Sequence, residues 1–226
     1  LSIFELDDYL KIKFISFKYL FLKNELENVI IRIDQKNLYN LELQRENKKN
    51  NNKDYLVDFS KANLKKGERN YDIKIRVKGD RTIHWYDKDQ TSYKIDLKGT
   101  KRIWGLEEFS VQKPITRNYI YEYIFHKLLE TNKLISLKYF FINLSLNDTD
   151  QGIYAVEEGF SKELIERNKK RNGPIFGLEE NLGTIFPNIE YDIYSKKYWT
   201  EKHSELIEIA LLKLDNLKNK KVNIEE

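Results

Sequence analysis

Cysteine and methionine are both absent from the 226 residues. Without cysteine there is no disulfide and no thiolate metal site, although a cysteine-free chain fits any redox compartment. Without methionine, even at position 1, and with an end on Asn223-Ile224-Glu225-Glu226 directly after a helical pattern, the chain reads as a piece of something longer. No secretory leader is visible. The longest apolar run, Ile12 to Leu22, is interrupted by Lys13 and Lys18 and is too short to span a bilayer.

Strong charge of one sign is lacking too. Lys and Arg number 40 against 36 Asp and Glu, a net of +4. That balance permits contact with phosphates or anionic surfaces without demanding it. Lys65, Lys66, Arg69, Lys74, Arg76, Lys78 and Arg81 are the densest basic group. No aromatic stacking platform is interleaved with them, so no nucleic acid is expected as a partner.

Catalytic and ligand signatures are few. His84, His126 and His203 are far apart and share no spacing with carboxylates, so no metal site is assigned. There is no nucleophile elbow, no Walker A sequence and no dinucleotide glycine fingerprint. Glu157 and Glu158 are adjacent, and on a strand they point to opposite faces, which argues against an acid–base pair.

What is present is an aromatic-rich, alternating pattern. Fifteen Tyr and twelve Phe supply much of the material for a core. Residues 2–26 read as a lead-in. A strand followed by a short helix is read over 29–43, a solvated loop over 46–53 and a strand near 55–59. Ile73, Ile75 and Val77 alternate with Lys74, Arg76 and Lys78, and Tyr93, Ile95 and Leu97 alternate with Lys94 and Asp96. Both are the period-2 mark of half-buried strands. Trp104, Leu106, Phe109 and Val111 suggest a further short strand. Thr116 is placed as the N-cap of a helix with an apolar face on Ile120, Ile124 and Leu128.

Residues 137–146 and 153–156 form a hairpin around the turn 147–152. Ser161 caps a helix to about Lys170, residues 175–178 make a short strand, 181–198 are irregular, and 200–217 are helical. Strands that cluster before helices favour an α+β fold, an antiparallel sheet with packed helices. The expected organisation is a lead-in (1–28), a binding region (29–199) and a helix leading onward (200–226).

Within this pattern Lys94 stands on the polar face of a strand, where a cation can hold a phosphate as kinase strand lysines do. The ordinary reading of such a lysine is a solvated one. Glu122, early in the following helix, is a candidate partner for Lys94, or it pairs with His126 one turn on.

Several stretches then resemble the spore-coat protein H (CotH) kinase family. Arg76-Val77-Lys78-Gly79-Asp80 followed by Ser92-Tyr93-Lys94-Ile95 is similar to its opening turn and strand. Ile103 to Phe109 resembles its short glycine-containing segment. Asn143, with the turn ending at Gly152 and the run Gly152-Ile153-Tyr154-Ala155-Val156-Glu157-Glu158, resembles its hairpin, and Asn172 to Phe176 its later glycine and strand. The likeness covers roughly Tyr71 to Leu178. Asp80 and Arg81 stand where Asn or Ser is common, and Gln90 where a basic residue is common.

The resemblance implies an incomplete, atypical protein-kinase-like fold that binds ATP with Mg²⁺ and transfers a phosphoryl group to a protein hydroxyl. It implies that Lys94 steadies the phosphates, Glu122 orients Lys94, Gly79 and Arg81 form the loop over the phosphates, and Glu158 lies near the adenine. The family's metal-binding aspartates are expected outside this segment, because Asp192 and Asp215 have other surroundings. The alternative is a non-catalytic binding or scaffold module of the cell envelope or spore coat. Its docking surface would be Tyr191, Tyr194, Tyr198 and Trp199, unless these pack under the last helix.

Overall fold

The computed structural model describes residues 26–50, 57–79, 81–88, 91–97, 99, 101–178 and 191–218. The expected lead-in up to 25, the loop residues 51–53, Asp80, Gln90 and the irregular stretch from 181 to 190 lie outside these. The chain divides into two compact units, Leu1–Gly159 and Phe160–Glu226.

The first unit is a closed seven-stranded barrel. Its strands are β1 (Asn28–Arg32), β2 (Ser60–Lys66), β3 (Arg69–Val77), β4 (Tyr93–Leu97), β5 (Glu108–Gln112), β6 (Tyr139–Leu146) and β7 (Thr149–Glu158). The order around the barrel is β1-β2-β3-β4-β5-β7-β6. Neighbours pair antiparallel except β1 and β6, which run parallel with Val29 opposite Leu144 and Ile31 opposite Leu146.

This corrects the expected fold class. The sheet is closed and mixed, with few helices, where an α+β kinase-like sheet with packed helices was expected. The physical reason is that the first strand returns to pair with the sixth, and sheet closure rather than helix packing removes the edges.

Alternation puts the apolar set inside. Ile73, Ile75, Val77, Ile95, Phe109, Val111, Ile142, Leu144, Tyr154 and Val156 are all fully or nearly fully buried. Inward neighbours meet in register, Ile75 opposite Ile95 and Ile95 opposite Phe109. Such cross-strand pairs are the units of sheet stability.

Helix α1 (Gln35–Lys49) lies against β2 and β3. Its N-cap Asp34 accepts from Asn37 N at 2.8 Å. Its buried residues are Leu41 and Gln44, and the Gln44 amide links Asp58 O to Val77 N. The helix therefore runs through 46–49, where a loop was expected. Residues 57–59 are not strand, and the strand begins instead at Ser60.

Helix α2 is Tyr121–Thr131. Thr116 does not cap it. Thr116 sits in a 3-10 turn (Pro114–Arg117) and bonds back to Lys113 O, so Ile120 becomes the N-cap, without a side-chain bond. The apolar face expected to pack on the sheet is largely exposed, with Phe125 at 53% and Leu128 at 58%. Only His126 of this helix is buried.

The second unit holds α3 (Lys162–Arg167), the strand pair β8 (Phe176–Leu178) and β9 (Tyr191–Ile193), α4 (Lys196–Lys202) and α5 (Ser204–Lys218). Ser161 caps α3 by accepting from Leu164 N. A break at His203 divides the expected final helix in two. Trp199 is buried and packs edge-on against the half-exposed Tyr198. Among the described residues no helix is long and apolar enough to cross a membrane.

Ile95 faces the barrel interior on three-strand contact and Leu128 faces outward, so their truncations separate core from surface. Ile95→Ala should cost about 3 kcal/mol in urea unfolding, and Leu128→Ala less than about 0.5 kcal/mol.

Candidate functional site

The same alternation that buries the apolar residues carries polar ones to the outer surface of the barrel. One cross-strand row runs Arg76, Lys94, Ser110, Glu157, Tyr139 from β3 to β6. The next row begins at Lys78, whose backbone N–H extends the ladder to Ser92 O, and includes Gln112. Helix α2 and the 3-10 turn before it cover part of this surface, with Tyr123 against Phe141 and His126 stacked on Tyr139.

Glu157 is the centre of the cluster. Its two oxygens take Lys78 Nζ at 2.8 Å, Gln112 Nε2 at 2.6 Å and Arg117 Nε at 3.4 Å. Lys78 Nζ also donates to Gln112 Oε1 at 3.0 Å. Both Lys78 and Glu157 side chains are less than a fifth exposed. Burial pushes the Glu157 carboxyl upward, but the Lys78 charge, its hydrogen bond, Arg117 and Gln112 together outweigh it and hold the group below the usual range. Lys78 is pushed down, chiefly by burial, since its one carboxylate is shared with Arg117 and Lys94 adds repulsion. Two cations therefore share one anion, a local excess of positive charge.

The Gly79 turn lies beside them. Gly79 has φ +90°, and a Cβ there would stand 2.5 Å from His84 Cδ2, so only glycine fits. Its carbonyl accepts from Lys48 Nζ. His84 is buried against this turn with Nδ1 3.0 Å from Ser92 Oγ. Burial, then the charges of Lys78 and Arg117, bring its pKa down to about 4, so the imidazole is neutral near pH 7.

Toward α2, the Tyr139 hydroxyl and His126 Nε2 are buried without a well-aligned hydrogen-bond partner. Gln112 lies near the hydroxyl, and the Glu122 carboxylate is 3.4 Å from His126 Nε2. Burial pushes the Tyr139 phenol up, so it stays a neutral donor.

The residues expected from the sequence are distributed as follows. Lys94 lies in the outer row but pairs with Glu108 at 2.8 Å, not with Glu122. Glu122 pairs with His126, one turn away. Gly79 forms the turn, and Arg81 precedes the 3-10 turn Thr82–His84. Glu158 points to the other side of β7 from Glu157, is 4% exposed, and accepts from Lys138 N at 2.7 Å.

Sequence reading missed Lys78, Gln112, Arg117 and Glu157 as one group. The period-2 pattern marks Lys78 as outward, but only the strand register brings it to Glu157, 79 positions away. Of the basic residues weighed for nucleic acid, Lys66 pairs with Glu27 and Lys78 with Glu157.

No family model matches the chain and no curated protein matches it. The site therefore stands on its own chemistry. Among the described residues no three His, Asp or Glu come together to hold a metal ion.

Lys78→Met leaves Glu157 to Arg117 and Gln112 and should cost about 2 kcal/mol, whereas Glu157→Leu strips both cations of their carboxylate and should cost more, as read by denaturant unfolding.

His84 gives a pH signature. The unfolded chain takes up its proton near 6.5 and the folded one only near 4, so the unfolded state binds more protons in between. Stability should fall as pH drops from 6.5 toward 4, with His126, also depressed by burial, adding to it. Melting scans across that window should show a shallower fall for His84→Gln. An unchanged slope would mean that His84 is not held neutral.

Proposed function

We propose that the outer face of β3, β4, β5 and β7 binds the phosphates of a nucleotide. On this reading the chain is the nucleotide-binding part of an ATP-dependent phosphotransferase acting on a protein hydroxyl, as the resemblance to the spore-coat protein H family implies. The reading draws its support from side chains and not from the fold, since sites are grafted onto many folds.

The observation that carries it is the pair of half-buried cations, Lys78 and Arg117, sharing the single carboxylate of Glu157. Desolvated cations with unspent charge are what a phosphate requires, and charge-assisted bonds to it are strong. Arg117 offers a fork of donors of which Glu157 takes the Nε contact. Lys94, adjacent in the same surface, is the further cation, already balanced by Glu108. The Gly79 turn holds its neighbours close. A Mg²⁺ ion accompanying the nucleotide would need ligands from elsewhere.

A second reading, a non-catalytic binding or scaffold module of the cell envelope or spore coat, is favoured by one feature. The exposed Tyr121, Phe125 and Leu128 of α2 form an apolar face of a kind that soluble monomers rarely leave open.

Thermal-shift titration with ATP separates the two. On the nucleotide reading ATP raises the melting temperature, and Arg117→Gln weakens the response about tenfold while adenosine gives none. A cooperatively melting protein that ignores millimolar ATP overturns the reading. Self-association that Leu128→Glu abolishes would then support the scaffold module.

A further inference from the structure

A second ligand-sized feature is a cleft of about 340 Å³ between helix α1, the start of β4 and the β6–β7 turn, across β4 from the cation cluster. This falls at the small end of the roughly 300–1,000 Å³ that ligand sites occupy.

The walls have two distinct characters. Leu38, Leu41, Glu42 and Arg45 line it from α1. Their spacing, i, i+3, i+4, i+7, puts all four on one helix face. Leu146 from the end of β6 and Tyr93 from β4 complete an apolar floor. Glu42 and Arg45 stand one turn apart on the polar side, and the charges of both reach the Tyr93 phenol. That phenol is pushed up to about 12, mainly by burial, and remains a neutral hydroxyl.

The two charges are only lightly committed. Glu42 meets Lys88 at 3.5 Å, and the Lys88 side chain is 70% exposed, so this is a surface pair of small worth. Arg45 meets its helix neighbour Glu46 at 3.2 Å through one nitrogen of its fork, while its side chain is itself largely buried. Thr91, Asn147, Thr149 and Gln151 add a polar wall opposite the apolar floor. A carboxylate and a guanidinium in such a mixed cleft are complementary to a small molecule with an ammonium, a carboxylate and an apolar body.

We propose that this cleft binds a free α-amino acid with an apolar side chain. The ammonium lies on Glu42, displacing Lys88. The carboxylate lies on the Arg45 fork, and the side chain rests on Leu38, Leu41, Leu146 and Tyr93. The site uses none of the residues of the phosphate reading, so the two stand or fall separately.

L-Phenylalanine is the probe, titrated into the whole chain by thermal shift and calorimetry beside phenylpropionate, which lacks the amine, and phenethylamine, which lacks the carboxylate. The expected result is a rise in melting temperature with L-phenylalanine alone, and a loss of at least about tenfold in affinity in each of Glu42→Gln and Arg45→Gln. Because the Arg45 side chain is largely buried, each variant must first melt as cooperatively as the parent. No response to L-phenylalanine or L-leucine from the folded protein overturns the proposal. So does an equal response to either truncated analogue, because one of the two charges would then have no role. An ATP response that persists in both variants shows that a failure here is not a failure of the phosphate site.

Discussion

Everything in the first unit depends on the pairing of β1 with β6. β1 is five residues long and is paired on both sides, antiparallel to β2 and parallel to β6. Without it the remaining strands would be an open sheet with β2 and β6 as bare edges, a template for aggregation. The pairing is held at its end by one turn. Asn147 and Asp148 both have positive φ, which these residue types tolerate in tight hairpins. The Asn147 side chain accepts from Ile33 N at 2.7 Å and donates to Ile33 O at 3.0 Å, while Asp148 takes Arg32 at 3.0 Å. The turn that closes the hairpin thus also clamps the end of the first strand.

Closure has consequences for where polar groups can go. With the interior filled by apolar side chains from every strand, lysines and carboxylates at the intervening positions must meet on the outer surface. They are brought within bonding distance there by register alone, as in the row from Arg76 to Tyr139. Covering that surface locally with α2 and its preceding turn removes water from some of them. Burial is the main reason His84 stays neutral, whereas Glu157 is held down against burial by the charges of Lys78 and Arg117. Lys74, on β3, remains half exposed and only loosely paired with Asp96.

Local patterns in the chain announced the elements that have a strong period and a buried face. β3, β4, the β6–β7 hairpin and the Ser161-capped helix are of this kind, because alternation or a capping residue is visible within a few positions. β2 was illegible, since only Ser60 and Leu64 of Ser-Lys-Ala-Asn-Leu-Lys-Lys are buried and the rest looks like a loop. α1 was illegible beyond its start because the residue it buries most usefully, Gln44, is polar. The fold class failed on two counts. The β1–β6 contact joins residues more than a hundred positions apart and leaves no local mark. The apolar stripe of α2 was read as packing against a sheet, and in this unit it faces outward. The candidate site was half legible for the same reason. Pattern showed that Lys78 and Lys94 point outward, and that Glu157 and Glu158 point apart, but which carboxylate each lysine meets is decided by neighbouring strands.

β4 shows how much chemistry one short strand can separate. Ser92 and Lys94 face the outer cation cluster, through His84 and Glu108 respectively, and Tyr93 between them faces the cleft beside α1. The two proposed sites, one for phosphate and one for an ammonium–carboxylate pair, would thereby lie a single backbone thickness apart without sharing a side chain. They do share a backbone. Tyr93 sits between Val77 and Val111 in the ladder, and Thr91, just before it, receives the Tyr154 hydroxyl on its carbonyl. If both proposed sites are filled, they meet the same stretch of backbone at the start of β4, with Ser92 bonded to His84 on one side and Tyr93 lining the cleft on the other.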